Sequence, residues 1–420
     1  MSCRTLPDYK WPARFAAWWF APLRWTCAAA FVLGRLLGRA LAAWEPRAAT
    51  DVGGILIIRT DGLGDAVLFE PAMRSLASRY PRHALHLWAP AATCDLLRAT
   101  PYIRHFLTIP RGCKAGNLLV FTSPRLRFAL GYATGRWQFD LAVYAVESPE
   151  PLGNWLLASA RAKETLAADG DLENKFDWQA ERAGAAATRV LTRRPGGGHE
   201  LLRNAHFAAA WGADLVGERP RICPSESSSG IANARVRLWR AAAEQHGASM
   251  LVGVIPAGTV AANTYPPASW AAALRELWQS HRALPVFLGS EAEAKTFNQI
   301  MLLLSDVPVL TIGSAIDALT LSAVLQQLDA VISVDTGPAH LALAQRVPTV
   351  VLSGGGHPGR FFPWPGATSA VVLNRRMPCE GCLARCHLPQ PECLTGIPPR
   401  DVVEALLHVT GSTAMDCEAA

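Results

Sequence analysis

The sequence predicts an α/β protein built from two doubly wound domains that face each other across a central cleft, preceded by an amphipathic helical extension. Two observations carry the prediction. Short apolar runs alternate with helix-period stretches along most of the chain, the pattern of parallel strands covered by helices on both faces. Two strand–glycine-turn–helix junctions, at residues 54–65 and 331–344, lie about 270 residues apart, so each half carries one ligand-type crevice. The expected boundaries are 1–49 for the extension, 50–228 for the first domain and 229–420 for the second.

In the extension, Trp11, Trp18, Trp19, Trp25 and Trp44 stand among Ala, Leu and Phe, and every charge from Lys10 to Arg39 is positive. No small-residue cleavage site follows the apolar stretch, which argues against a signal peptide. The longest uncharged run, residues 25–34, is about half of the ~20 residues a spanning helix needs. On a helical wheel Lys10, Arg14, Arg24, Arg35 and Arg39 share an arc of roughly 80°, with a kink expected at Pro22. The pattern is that of a helix lying in a membrane interface; the alternative is an extension packed on the domains.

After the extension, strands are expected at 54–59, 84–89, 103–109 and 139–146, with helices at 66–80 and 91–98 between them. Residues 161–194 read as polar loops and helices. Pro195 to Gly198 is a break, and His199-Glu200 leads into a helix carrying Arg203, Asn204 and His206. Pro220, Pro224 and the run 225–230 form a linker. The second domain then offers strands at 250–255, 284–288, 307–311, 330–334 and 348–352, separated by helices such as 268–280 and 315–328. A last helix near 400–408 is expected to cross back to the first domain. No repeat of solenoid length occurs.

Half of the 420 residues are apolar, enough for two ordinary cores. The net charge of +6 is spread without a long single-sign block, which excludes a dedicated nucleic-acid binder. Ten cysteines, scattered except for four near the C-terminus, do not make a secreted disulfide framework; a reducing cytosolic compartment fits better.

The chemistry sits at the junctions. At 331–344 an apolar run stops at Asp335-Thr336-Gly337-Pro338 and an Ala/Leu helix begins. The unpaired N–H groups and positive dipole end of such a helix attract phosphate. Asp335 could take sugar hydroxyls; equally, Asp335 or Thr336 could be a plain N-cap. At 54–65 the strand runs into Thr60-Asp61-Gly62-Leu63-Gly64-Asp65, where Asp65 could act as a general base or merely cap the helix.

Together the junctions resemble glycosyltransferase family 9, the heptosyltransferases that build lipopolysaccharide core. Gly64-Asp65 and Pro71 fill the first motif, and Asp335, Thr336, Gly337 and His340 fill the second, Asp-Thr-Gly-x-x-His; the resemblance spans about residues 54–409. It implies a GT-B fold of two Rossmann-like domains, with acceptor bound by the first and nucleotide-sugar donor by the second. It further implies inverting transfer of a sugar, heptose above all, from an ADP-sugar to lipopolysaccharide core or a related surface glycan. The enzyme would be bacterial, cytoplasmic and peripherally attached to the inner membrane, where its lipid-linked acceptor is anchored. Asp65 then matches the catalytic base, with Asp61 in reserve, and Asp335, Thr336, Gly337, Pro338 and His340 bind donor.

Gly258 and Thr259, after a strand, could bring backbone amides to the diphosphate. The family's usual lysine is replaced by Asn263 ahead of Tyr265-Pro266, and Arg360, after the glycine run 354–356, is a substitute cation. Glu293 falls near the family's acidic nucleotide-sugar contact, with Glu291 close by. Gly64, Asp61, His199 and Arg203, together with Glu200 and Asn204, are acceptor-side candidates, although polar helical faces are more often solvated. No cofactor beyond the donor is expected. Cys379, Cys382, Cys386 and Cys393 form a weak zinc or iron–sulfur candidate. Rival readings are a nucleotide-sugar-binding protein without catalysis, a transferase using another nucleotide sugar, and a dinucleotide oxidoreductase. For the last, no Gly-x-Gly-x-x-Gly turn is read that follows a strand and has a later ribose-binding acid.

Overall fold

The computed structural model describes residues 21–44, 53–110, 123–170, 187–191, 198–258, 263–289, 291–312 and 316–417. The elements run α1 (Ala21–Trp44), β1 (Gly54–Ile58), α2 (Leu63–Arg79), β2 (Leu85–Ala89), α3 (Ala91–Leu97), β3 (Ile103–Thr108), α4 (Pro124–Arg136), β4 (Phe139–Tyr144), α5 (Pro151–Ser159), β5 (Ala162–Ala168) and β6 (Arg189–Leu191). There follow α6 (Glu200–Ala208), α7 (Glu226–His246), β7 (Met250–Ile255), α8 (Pro267–His281), β8 (Ala283–Phe287), α9 (Ala294–Leu303), β9 (Leu310–Thr311), α10 (Ala318–Leu325), β10 (Ala330–Val334), α11 (Gly337–Ala344), β11 (Thr349–Leu352), β12 (Ala370–Leu373), the short α12 (Glu392–Thr395) and α13 (Pro399–Cys417). The strands form two six-stranded sheets, ordered β3-β2-β1-β4-β5-β6 and β12-β11-β10-β7-β8-β9. Strand pairs such as β1–β4 and β7–β10 are parallel, as expected of fully apolar runs covered on both faces.

Two compact units divide the chain: Met1–Thr60, Arg82–Trp88 and Ile109–Val190 make one; Asp61–Pro81, Ala89–Thr108 and Leu191–Ala420 make the other. In the first unit, Ile55 to Ile58 of β1 are all buried, and Phe139 of β4 meets His86 and Trp88 of β2 edge-on. The end of β1 is pinned by buried polar groups. Arg59 donates to the Ala145 carbonyl at 2.7 Å, and the Thr60 hydroxyl lies 3.0 Å from the Tyr144 hydroxyl. Helix α1 packs along α4.

In the second unit β7 lies between β8 and β10, so the chain leaves β7 toward one side and returns on the other. That is a topological switch point, where doubly wound sheets place ligands beyond the strand carboxyl ends. Val402, Val403, Leu406 and Val409 bury the apolar stripe of α13 against α8, β10, β11 and β12. The last helix therefore packs on the second unit's own sheet, where a crossing back was expected, because this stripe completes the cover of that sheet.

Several expectations need correction. Helix α2 starts at Leu63, not residue 66. Residues 161–194 hold β5 and β6 where loops and helices were expected. Residues 226–230 are the first turn of α7, capped by the Ser225 hydroxyl accepting from the Ser228 N–H at 3.1 Å; a serine run read as linker is a helix start. The stretch 307–311 contains only the two-residue β9, and β12 was missed. Pro22 is the second described residue of α1, so the kink expected there falls at the edge of the described residues. Trp25–Ala43 is long and apolar enough to cross a membrane by length and composition, contrary to the reading from its uncharged run. Lys10 and Arg14 lie outside the described residues.

Candidate active site

The helices that open at both junctions, α2 and α11, belong to the second unit and pack on each other. What lets them meet is glycine. A Cβ on Gly64 would stand 2.6 Å from His340 Cδ2 and 3.2 Å from its Nε2, and one on Gly337 would stand 3.2 Å from the Gly64 nitrogen. The first of these is closer than a real Cβ tolerates. Glycine at 64 is a steric requirement of the contact.

Asp65 is the third residue of α2. Its Oδ2 accepts from the Gly62 N–H at 3.2 Å, so it does cap the helix, reaching back from inside the first turn. The capping reading and the catalytic reading thus share one carboxylate. The side chain stays half-buried. Asp61 is half-buried in the loop just before it.

Opposite, β10 is wholly buried and delivers Asp335 to the sheet's edge. The Ser353 hydroxyl, just past β11, donates to Asp335 Oδ2 at 3.1 Å. Burial pushes the Asp335 carboxyl up to about 6; the Ser353 hydrogen bond offsets part of this and the nearby Asp65 charge adds to it. Two acids close enough to repel, in different surroundings, suit different tasks. Thr336 is the N-cap of α11 in extended conformation and its side chain makes no capping bond. Pro338 has no N–H and the Ala339 N–H donates to the Thr336 carbonyl at 3.0 Å, so the Gly337 N–H is the first-turn donor left for an anion placed there. Pro338 occupies the first turn, where its lack of N–H is harmless.

His340 is buried one turn into α11. Its Nδ1 accepts from the Trp364 indole N–H at 3.0 Å, and its ring stacks on Phe362 at 4.4 Å between centroids. Burial, and secondarily the nearby His199, push its pKa down to about 3, so the ring is neutral at neutral pH. With Nδ1 an acceptor, the single ring proton sits on Nε2, the nitrogen that faces Gly64. Trp364 and Ser353 were not singled out in the sequence; both reach the site only through the fold.

Around this centre the other predicted residues divide. Gly258, beyond β7, lies against Thr336: a Cβ there would be 3.3 Å from its Oγ1. Thr259 lies outside the described residues. Asn263 donates its amide to the Asp335 carbonyl at 3.0 Å, so it braces the junction's backbone. Beyond β8, Glu293 is half-buried with Oε2 3.4 Å from a Cβ position on Gly289, whereas Glu291 is exposed.

The acceptor-side candidates prove to be tied into structure. His199 caps α6 by accepting from the Leu201 N–H on Nδ1 at 3.1 Å, and its Nε2 donates to the Phe361 carbonyl at 2.9 Å. Burial pushes its pKa down to about 4. Asn204 is buried and donates to the Leu68 carbonyl of α2 at 3.0 Å. Glu200 pairs with Arg360 at 3.1 Å and lies 3.8 Å from Arg203. Arg360, the substitute cation, thus has its charge met by Glu200.

Cys379, Cys382, Cys386 and Cys393 are free thiols lining one pocket with Asn263 and Gly354 to Gly356. Among the described residues no three His, Cys, Asp or Glu side chains converge to hold a metal ion. The thiol of Cys386 instead turns to the Gln390 carbonyl, and the tetrahedral set weighed from the spacing is not assembled.

Residues 193–388 match the model of glycosyltransferase family 9 (heptosyltransferase), a stretch that holds the second junction and not the first. No curated protein matches the sequence. Among solved structures, the chain is similar to a family 9 glycosyl transferase from Veillonella parvula, with 15% identity over 87% of this chain and 100% of that one, TM-score 0.67. It is similar to E. coli ADP-heptose lps heptosyltransferase II, with 18% identity over 86% and 99%, TM-score 0.63. E. coli heptosyltransferase WaaC, solved with ADP, shares 14% identity over 84% and 99%, TM-score 0.60. At such identities the likeness establishes the GT-B fold. The family match covers the second junction, and the first junction's Gly64 packs against it.

Proposed function

We propose that this glycosyltransferase moves a heptose from an ADP-heptose, with inversion, to lipopolysaccharide core or a related surface glycan, working at the face of a membrane. The observation that carries the reading is the contact of the junctions: Gly64 against His340 and Gly337, with Asp65 and Asp335 beside them. The likeness to an ADP-heptose lps heptosyltransferase II and to a heptosyltransferase solved with ADP supports the choice of donor and acceptor.

In this reading the acceptor hydroxyl oxygen attacks the anomeric carbon while the bond from that carbon to the β-phosphate oxygen breaks. The hydroxyl proton passes to the Asp65 carboxylate, and ADP leaves with the bonding electrons. General-base help of this kind contributes about 10²–10⁴-fold. The departing charge is met by the Gly337 N–H that opens α11 and by the Nε2 proton of His340, preorganised donors that need no metal ion. Asp335 holds hydroxyls of the donor. Attachment to the inner membrane's cytoplasmic surface through α1 belongs to the same reading.

Asn in place of Asp65 keeps an oxygen for the Gly62 cap but cannot take a proton. Asp65→Asn is expected to lower transfer at least 10²-fold while ADP affinity stays within about threefold. Transfer at the wild-type rate would remove Asp65 from the mechanism. ADP-, UDP-, GDP- and CMP-sugars compared for thermal stabilisation test the nucleotide. One observation favours binding without catalysis: Asn263 brings no charge to the diphosphate and its amide is already occupied by the Asp335 carbonyl. Donor binding with no turnover on a glycolipid acceptor would decide for that reading.

A further inference from the structure

We infer that α1, clamped onto α4 by a four-glycine seam, is a rigid platform whose opposite face lies flat in an anionic bilayer. The inference rests on the membrane-face reading above and deepens it, naming the surface, the lipid charge and the mode of attachment.

The seam is the first observation. A Cβ on Gly34 would collide with the Phe128 carbonyl oxygen and one on Gly38 with that of Tyr132; Cβ atoms on Gly131 and Gly135 would collide with the carbonyls of Phe31 and Arg35. Each helix therefore runs in contact with the other's backbone, as paired small-x-x-x-small repeats allow. Phe31 adds an edge-on contact to Trp155 of α5 at 5.2 Å, and Arg127 of α4 lies over the Trp155 ring at 4.3 Å. A helix held along this length cannot also leave the unit to cross a bilayer without breaking every one of these contacts. Its apolar length is thus available to lie in a membrane, not to span one.

The second observation is what the seam leaves outside. Trp25, Val32, Leu33 and Leu36 are 76%, 54%, 62% and 57% exposed, and Leu37 and Leu41 are exposed as well. Set Gly34 at zero on a wheel of about 100° per residue. The buried Cys27 and Gly38 then fall within about 40°, and Arg35 and Arg39 near about 100° and 140°. Trp25, Val32, Leu36 and Leu33 occupy about 160° to 260°. The exposed Arg39 thus borders the apolar face on one side, where its stem can lie along that face and its head reach a headgroup layer.

Charge selects the occupant. Neither α1 nor α4 contains an acid, while they carry the exposed Arg39 and Arg125. A second copy docking the same face would set arginines against arginines. An anionic lipid surface complements them.

The test is sedimentation of the full chain with vesicles containing phosphatidylglycerol and with neutral phosphatidylcholine vesicles. Wild type is expected to sediment with the anionic vesicles and to be released by alkaline carbonate. Leu33→Ser with Leu36→Ser should cut the bound fraction at least tenfold. Arg39→Glu, a milder change at an exposed position, should weaken binding several-fold on anionic vesicles alone. The idea fails if wild type stays in the supernatant or both variants bind like wild type. It also fails if carbonate leaves the protein in the membrane, or if the serine variant turns a dimer into a monomer by light scattering. Transfer to a lipid-free acceptor should be unchanged in the serine variant; no transfer by wild type, with vesicle binding intact, would sink the proposed reaction and leave this inference standing.

Discussion

At the start of α2, Gly64 admits the ring of His340 to 2.6 Å from where a Cβ would stand. Along α4, Gly131 and Gly135 admit the carbonyls of Phe31 and Arg35. Both contacts depend on a missing side chain, yet they do different things. In the second unit the close approach gathers two acids, a hydroxyl and an imidazole, groups whose protonation and direction matter. In the first it brings together only backbone, and its product is the face left free on the far side of α1. Glycine at a helix start assembles chemistry; glycine along a helix assembles a surface.

The comparison breaks most easily at the glycines themselves. Gly131→Leu forces a branched side chain into the Phe31 backbone, and overpacking of that kind costs about 3 kcal/mol or more. It should lower the melting temperature sharply and abolish vesicle binding, while donor KM in the folded fraction stays at the wild-type value. Gly64→Ala adds one methyl against a stacked ring that has little room to give, costing roughly 1–3 kcal/mol. Its signature should be kinetic: kcat/KM down at least tenfold, vesicle binding intact. If Gly131→Leu raised donor KM, or Gly64→Ala left kcat/KM alone, the division between surface and chemistry would be wrong.

The same contrast shows what could be read from residues in order. Both junctions were legible because an apolar run, a glycine turn and a helical pattern sit next to each other, and the core strands around them are continuous apolar stretches. The polar segment Lys163-Glu164-Thr165 at the start of β5 hid that strand: its buried residues are the consecutive Thr165, Leu166 and Ala167, so no alternation marked it. Ser225 to Gly230 looked like linker because serine favours both loops and caps. The glycine spacing 34–38 and 131–135 was visible, but nothing local said that these two helices would meet. Trp364 and Ser353 lie 24 and 18 residues from the groups they hold, and no periodicity joins them.

Trp364 sharpens the chemical half of the comparison. Its indole N–H on Nδ1 is what leaves His340 with its proton on Nε2. Trp364→Phe keeps an aromatic ring in place but frees Nδ1, so the imidazole can hold either tautomer. One hydrogen bond of this kind is worth about 1 kcal/mol, and kcat/KM should fall about fivefold to tenfold, with donor KM carrying most of the change. A functional role for the tautomer predicts that Trp364→His, which can again donate, recovers part of the loss; a purely packing role predicts no recovery.

A further expected effect, away from catalysis, is in the acid response of stability. His340 and His199 have folded-state pKa values of about 3 and 4 against an ordinary 6.5. As pH falls below 6.5 the unfolded chain binds two protons that the folded chain refuses, so stability is lost. Asp335 acts in the opposite sense. Its folded value of about 6 lies above its ordinary 3.8, so between those values the folded state binds a proton that the unfolded state does not. From about pH 6 down to about pH 4 the balance is two protons against one, a net loss of about 1.4 kcal/mol per pH unit. Asp335→Asn removes the opposing proton and should roughly double the slope of stability against pH in that window, measured by urea unfolding. An unchanged slope would mean that Asp335 is not held up by its burial beside Asp65, and the two junctions would then be coupled by shape alone.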